Sequence, residues 1–170
     1  MMRHSIHAAA FATVFALSGA AVADEAKPAG TTTSIATGQP VDVEADQMEV
    51  FDKEKRTVFR GHVVAKRKDV TLNAEVLTVD YADTAQADGT MKSDATRIEA
   101  EGSVVIVTSR EKITGETAVI NPKSNELDVT GNVTVTQGAT VIRGGHLHSN
   151  LTTHKMEMSG GRVKGSFQPK

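Results

Sequence analysis

Cysteine is absent from this sequence, and so is tryptophan. The first absence removes disulfide staples, thiolate metal sites and cysteine nucleophiles from consideration. Beyond residue 23 the aromatic side chains are Phe51, Phe59, Tyr81 and Phe167. That is too few for the aromatic platforms on which sugar-binding modules stack their ligands. Neither sign of charge dominates, with 19 Lys and Arg against 21 Asp and Glu, so no nucleic-acid footprint is present. Helical periodicity is missing beyond the first two dozen residues. Also missing are a Ser-His-Asp arrangement, a nucleotide-binding loop and the dense acidic spacing of calcium loops, and no catalytic residue is assigned.

The N-terminus reads as a targeting segment. Arg3, His4 and His7 precede an apolar stretch from Ala8 to Leu17, and Ala21-Val22-Ala23 offers the small residues that a signal peptidase accepts. The apolar stretch is shorter than the roughly 20 residues that cross a bilayer. Residues 1–23 are therefore expected to be a cleaved secretory signal, leaving 147 residues, a single domain by length. Residues 24–38 hold one large apolar side chain, Ile35, and are expected to form a flexible leader.

What is abundant is repetition. An eight-residue phrase, apolar-x-small-acid-x-apolar-x-apolar, begins at Val43, Leu72, Ile113 and Ile142, at intervals of 29, 41 and 29. A second phrase, apolar-x-Gly-x-Val, interleaves with it at Phe59 to Val63, Ala100 to Val104 and Val129 to Val133, with a frayed copy near Gly160. Self-similarity at such periods marks a stacked repeat architecture. Within the copies apolar residues alternate with Thr, Glu, Asp and Lys, the period of half-buried strands. Asp52 to Lys55, Asn121 to Asn125 and Asn150 to His154 carry turn chemistry at equivalent places. Ala82 to Ala95, with Asp88-Gly89, accounts for the longer interval as a loop or extended hairpin.

Parity changes inside the first phrase: Leu72 and Ala74 are even, Leu77 and Val79 odd. A one-residue slip means a bulge, and a small residue there lets a strand bend from one sheet into another. The bends are expected at Ala45, Ala74, Gly115 and Gly144. The fold class is all-β, a twisted β-jelly roll of repeated antiparallel strands in two facing sheets, open along one side. The domain is expected over 39–164, with a short tail at 165–170.

Two constellations invite chemistry. The acids Asp46, Glu75 and Glu116 recur with the scaffold, so they are expected to bond backbone at the bends. His146 and His148 share a strand face, and Leu147 between them matches the inward Leu77 and Ala118, which turns both histidines outward. A cupin-like metal site would need a further acid close by. No metal or other cofactor is assigned. Lys66-Arg67-Lys68 reads as a solvated strand end that guards against edge pairing. The inward face is aliphatic, which suits a closed dry core or an open groove for alkyl chains; parity alone does not separate them.

The residues Val41-Asp-Val43-Glu-Ala45-Asp46-Gln-Met48, Phe59-Arg-Gly61-His-Val63 and Leu72-Asn-Ala74-Glu75, repeated as Val129-Thr-Gly131-Asn-Val133 and Ile142-Arg-Gly144, resemble the OstA/LptA family. The resemblance covers Gln39 to Val163. It implies a periplasmic, non-enzymatic protein that carries lipopolysaccharide between inner and outer membranes and shelters lipid A acyl chains in an apolar groove. It also implies head-to-tail homo-oligomers, an LptC-like inner-membrane partner at the N-terminal end and an LptD-like outer-membrane partner at the C-terminal end.

On parity and resemblance together, the groove residues are Val41, Val43, Met48 and Val50 at the N-terminal mouth. Phe59, Val63, Leu72, Leu77, Ile98, Val104, Ile106, Ile120, Val129 and Val133 follow along its length. A structural or adhesive β-repeat protein without lipid, and a cupin-like metal protein, are the alternative classes.

Overall fold

The computed structural model describes residues 33–34 and 40–167; the expected signal and most of the expected leader lie outside the described residues. Among the described residues eleven strands follow one another: β1 Thr33–Ser34, β2 Pro40–Glu44, β3 Gln47–Phe51, β4 Arg56–Arg67, β5 Val70–Ala85, β6 Met91–Val107, β7 Lys112–Asn121, β8 Glu126–Gln137, β9 Thr140–Asn150, β10 Lys155–Ser159 and β11 Lys164–Ser166. Each of the long strands β4 to β9 pairs antiparallel with the next, so the repeats stack in chain order. The all-β jelly roll expected from the sequence is the fold observed.

Every long strand is broken at the same depth. Register slips fall between Arg60 and Val63, Asn73 and Val76, Glu101 and Val104, Thr114 and Thr117, and Thr130 and Val133. These aligned bulges crease one hydrogen-bonded sheet into two facing halves. The first half runs from β2 through the lower parts of β4 to β9 and ends on β11. The second begins at β3 and ends on β10. Among the described residues β1 joins β2 at Pro40 and Val41, and β11 carries regular pairing past residue 164 into the expected tail.

Inward residues of both halves form a single apolar cluster that includes Phe59, Val63, Leu77, Val79, Val104, Val129 and Leu147. Turns sit where the sequence put them. Lys55, Asn125 and His154 each end a turn with φ of 52° to 57°, and Asn121 Oδ1 and Asn150 Oδ1 each accept backbone N–H bonds from the residues two and three positions on. The extra residues of the second repeat lengthen the β5–β6 hairpin, which pairs as far as Ala85 and Met91 and turns through Asp88-Gly89.

Candidate functional site

The crease has its own chemistry. Gly61-His62, Gly102-Ser103 and Gly131-Asn132 are pairs of consecutive residues with φ from 47° to 82°, a left-handed step that only glycine enters freely at its first position. Opposite each glycine stands the acid of the preceding first phrase. A Cβ on Gly131 would lie 2.5 Å from Glu116 Cβ, and one on Gly102 would lie 2.8 Å from Glu75 Cβ. Where polar contacts are seen they run to the side chain after the glycine: His62 Nδ1 is 2.7 Å from Asp46 Oδ2, and Asn132 Nδ2 donates to Glu116 Oε1 at 2.7 Å. All three acids thus cover glycines, and Asp46 and Glu116 bond side chains in place of the backbone groups expected of them. Their role is architectural, closing the outside of the bend.

Away from the crease the two halves diverge and leave a groove of about 450 Å³. One wall comes from the first half, with Val41, Leu72, Ile106 and Ile113; the other comes from Leu77, Ile98, Ile120 and Leu127. The lips are turns. Lys66, Arg67, Asp69, Arg110 and Glu111 line one side, and Asn125, Leu151, His154 and Met156 the other. Arg110 Nη2 stands 3.5 Å from His154 Nε2, so one contact spans the opening. Within the first lip a hydrogen bond from the Ser109 side chain holds the Asp69 carboxyl below its ordinary range, helped by Lys68 and Arg110.

Six of the expected groove residues line this space: Val41, Leu72, Leu77, Ile98, Ile106 and Ile120. Phe59, Val63, Val104, Val129 and Val133 face the same way but lie two residues from Gly61, Gly102 or Gly131, where the halves converge. They are packed into the crease, at 4 % exposure or less. Ile98, Ile106 and Leu127 lie four residues from those glycines, where there is room. Val43 is half-buried, while Met48 and Val50 sit on the open edge strand β3 at 47 % and 54 % exposure. Parity did not reveal the charged lip, and Lys66, expected as a solvated guard, is part of it.

His146 and His148 lie on the outer face as expected, with Leu147 buried between them. His146 Nε2 and His148 Nδ1 both contact Asp128 Oδ1, at 2.9 and 3.0 Å. The bond to Asp128 raises the His148 pKa above its ordinary value. Burial pushes the Asp128 carboxyl up, but the bonds from His148 and His146 outweigh it and hold the group low. Among the described residues no cluster of three His, Cys, Asp or Glu side chains is arranged to hold a metal ion.

An aliphatic groove with charged lips, on a creased antiparallel stack, offers apolar walls beside a polar rim. A family model described as LptA/(LptD N-terminal domain) LPS transport protein matches residues 42–155, more than half of the chain. The chain belongs to this family. A curated relative, an uncharacterised protein of Rhizobium meliloti (strain 1021), is 27 % identical over 138 residues, covering 79 % of this chain and 74 % of the relative. Among solved structures, the fold matches LptH, described as the LptA-homologous periplasmic component of the lipopolysaccharide transport device of Pseudomonas aeruginosa. The TM-score is 0.67 at 18 % identity, covering 77 % of this chain and 96 % of that one. For this member of the LPS transport family, the groove is the candidate site.

Proposed function

We propose that this protein is a periplasmic carrier of lipopolysaccharide, with no catalytic step, which holds lipid A acyl chains in the groove and leaves the sugars in water. The observation that carries this reading is the aliphatic lining of the groove, in a chain whose family is that of LPS transport proteins. Each buried methylene contributes about 0.8 kcal/mol, so several acyl carbons suffice for retention. Residues 1–23 direct export and are then cleaved, and 24–38 act as a leader to the domain. Among the described residues the stack ends on strands with an open side, β3 and the part of β2 beyond Val41 at one end and β10 with β11 at the other, which are templates for strand addition. Head-to-tail copies, an LptC-like partner at the β2–β3 end and an LptD-like partner at the β10–β11 end complete a bridge between membranes.

Photo-crosslinkers test this directly. Placed at Ile106, Ile120 or Leu127 they should capture lipopolysaccharide in the periplasm, and placed at the outward His146 or Lys112 they should not. Equal capture by both sets refutes the groove as the lipid site.

A further inference from the structure

The fourth bend breaks the charge pattern of the other three. Where Asp46, Glu75 and Glu116 stand, the last copy has Gly145, and the glycine opposite is Gly160. A Cβ on Gly160 would lie 2.9 Å from Gly145 Cα, so the two backbones approach with no acid between them. Beside this bare bend is a surface pocket of about 400 Å³ whose lining includes Asn132, Arg143, Arg162 and Lys164. Arg143 and Lys164 are direct cross-strand partners on β9 and β11, and all three cations are exposed. None of them has an ion-pair partner among the described residues. Like charges placed opposite one another repel. A single copy therefore leaves this end electrostatically unsatisfied.

The other end of the stack has the reverse character. From Pro40 to Phe51 the sequence holds four acids, Asp42, Glu44, Asp46 and Glu49, and no basic residue. Their own-chain contacts are loose or exposed: Glu44 is 4.0 Å from Lys66 and Glu49 is 3.4 Å from Arg60, while Asp46 meets His62 with both side chains largely in solvent. Asp42 and Glu44 point outward, alternating with the inward Val41 and Val43.

The topology brings the two ends into correspondence. β2 and β11 belong to the same half of the creased sheet, as do β3 and β10 to the other. Following the antiparallel order from β2 through β4, β5, β6, β7, β8 and β9 leaves β11 running opposite to β2. A second copy can thus continue the sheet, its β2 antiparallel to β11, without reversing strand direction. Among the described residues β1 pairs with Pro40 and Val41 alone, and no strand stands beside Asp42 to Glu44 on the side away from β4. With β2 of a second copy laid along β11, Asp42 and Glu44 fall on the same outer face as Lys164 and Arg143, since paired residues share a face.

We infer that the cationic pocket formed by Arg143, Arg162 and Lys164 receives the acidic β2–β3 end of a second copy, and that this charge match sets the polarity of stacking. The inference rests on the head-to-tail reading above and adds the residues that decide which end meets which. It makes like-end pairing, acid to acid or cation to cation, repulsive. Electrostatic complementarity of this kind governs orientation and on-rate and weakens with salt.

Sedimentation velocity on the mature chain tests it, at low and at high salt. R143E/R162E/K164E and D42K/E44K should each raise the self-association Kd by at least about tenfold, and wild-type association should weaken as salt rises. An equimolar mixture of the two variants should recover pairing, because the reversed ends now match; recovery also shows that both variants are folded. Wild-type-like association of either variant, or a mixture that stays monomeric, overturns the charge assignment while leaving head-to-tail stacking in place. A wild-type chain that stays monomeric at all concentrations, with lipopolysaccharide present, overturns the stacking itself and this inference with it.

Discussion

Gly131→Ala should destabilise the protein far more than Gly138→Ala, although both glycines have positive φ, +82° and +57°. An L-residue in the left-handed region costs about 1–2 kcal/mol, and both substitutions carry that term. At Gly138 nothing lies within 4 Å of the new methyl group, so the backbone cost stands alone. At Gly131 the methyl would lie 2.5 Å from Glu116 Cβ and 2.6 Å from its Cδ. The Cβ is fixed to the backbone of β7 and cannot swing aside. Overpacking of that kind adds about 1–3 kcal/mol, which brings the expected loss at Gly131 to about 2–5 kcal/mol. Urea unfolding reads the difference as a lower midpoint at unchanged slope. Removing the obstacle should recover it: in a Glu116→Gly background, Gly131→Ala should cost about what Gly138→Ala costs in the wild type, a coupling between sites in contact. Equal midpoints for Gly131→Ala and Gly138→Ala, or no coupling to Glu116, would refute the idea that the acid closes the bend over the glycine.

Filling the groove should cost cargo and not fold. Ile120→Trp places a bulky ring in the open part of the groove, and displacing two acyl methylenes loses about 1.6 kcal/mol, more than tenfold in Kd. Val119→Trp, one residue away and facing outward, should leave lipopolysaccharide binding unchanged; similar loss at both positions in a fluorescence competition assay argues against the groove. The Asp128 cluster predicts a pH dependence. His148 has its folded pKa above the ordinary 6.5, so its contribution is whole below that value and fades as pH rises through the raised one. Asp128, held below 3.8, contributes above 3.8 and loses its share only as pH falls through the lowered value. The urea midpoint of wild type minus that of His148→Gln should therefore shrink between pH 6 and pH 8.5, and a difference that stays constant contradicts the assigned bond.

The fold was legible because its rules are local. Alternation over Ile98 to Ile106 or Leu127 to Val135 names a strand and its inward face, and Asn121 and Asn150 name turns through bonds to their own backbone neighbours. The parity change between Ala74 and Leu77 even located the crease. Contacts between copies were less visible. That Asp46 and Glu116 close over Gly61 and Gly131 is a relation across 15 residues in both cases. The constant offset was the available signal, but each phrase read alone assigned the acids to backbone. Depth was also beyond parity: Val104 and Ile106 point the same way, yet only Ile106 reaches the groove, because the distance from Gly102 decides how far the halves have separated. Lys66 shows the same limit at a strand end, where outward still means beside the opening.

The positions of these contacts also divide the domain mechanically. Along the crease, acid stands over glycine in three successive repeats, and the apolar side chains flanking those bends are sealed from water. Tight packing there resists change, since interiors at this density transmit strain and do not absorb it. At the lips the halves end in turns, joined across the opening by the Arg110–His154 contact, at a distance where a hydrogen bond is weak. On the proposed function, cargo that entered between Ile106 and Ile120 would spread the lips against little resistance and leave the crease unaltered. Because the groove walls come from every repeat and the strand order is continuous to both edges, an added copy lengthens crease and groove together. Stacking, if copies associate as proposed, would thus extend the path for an acyl chain without requiring any one domain to enclose it.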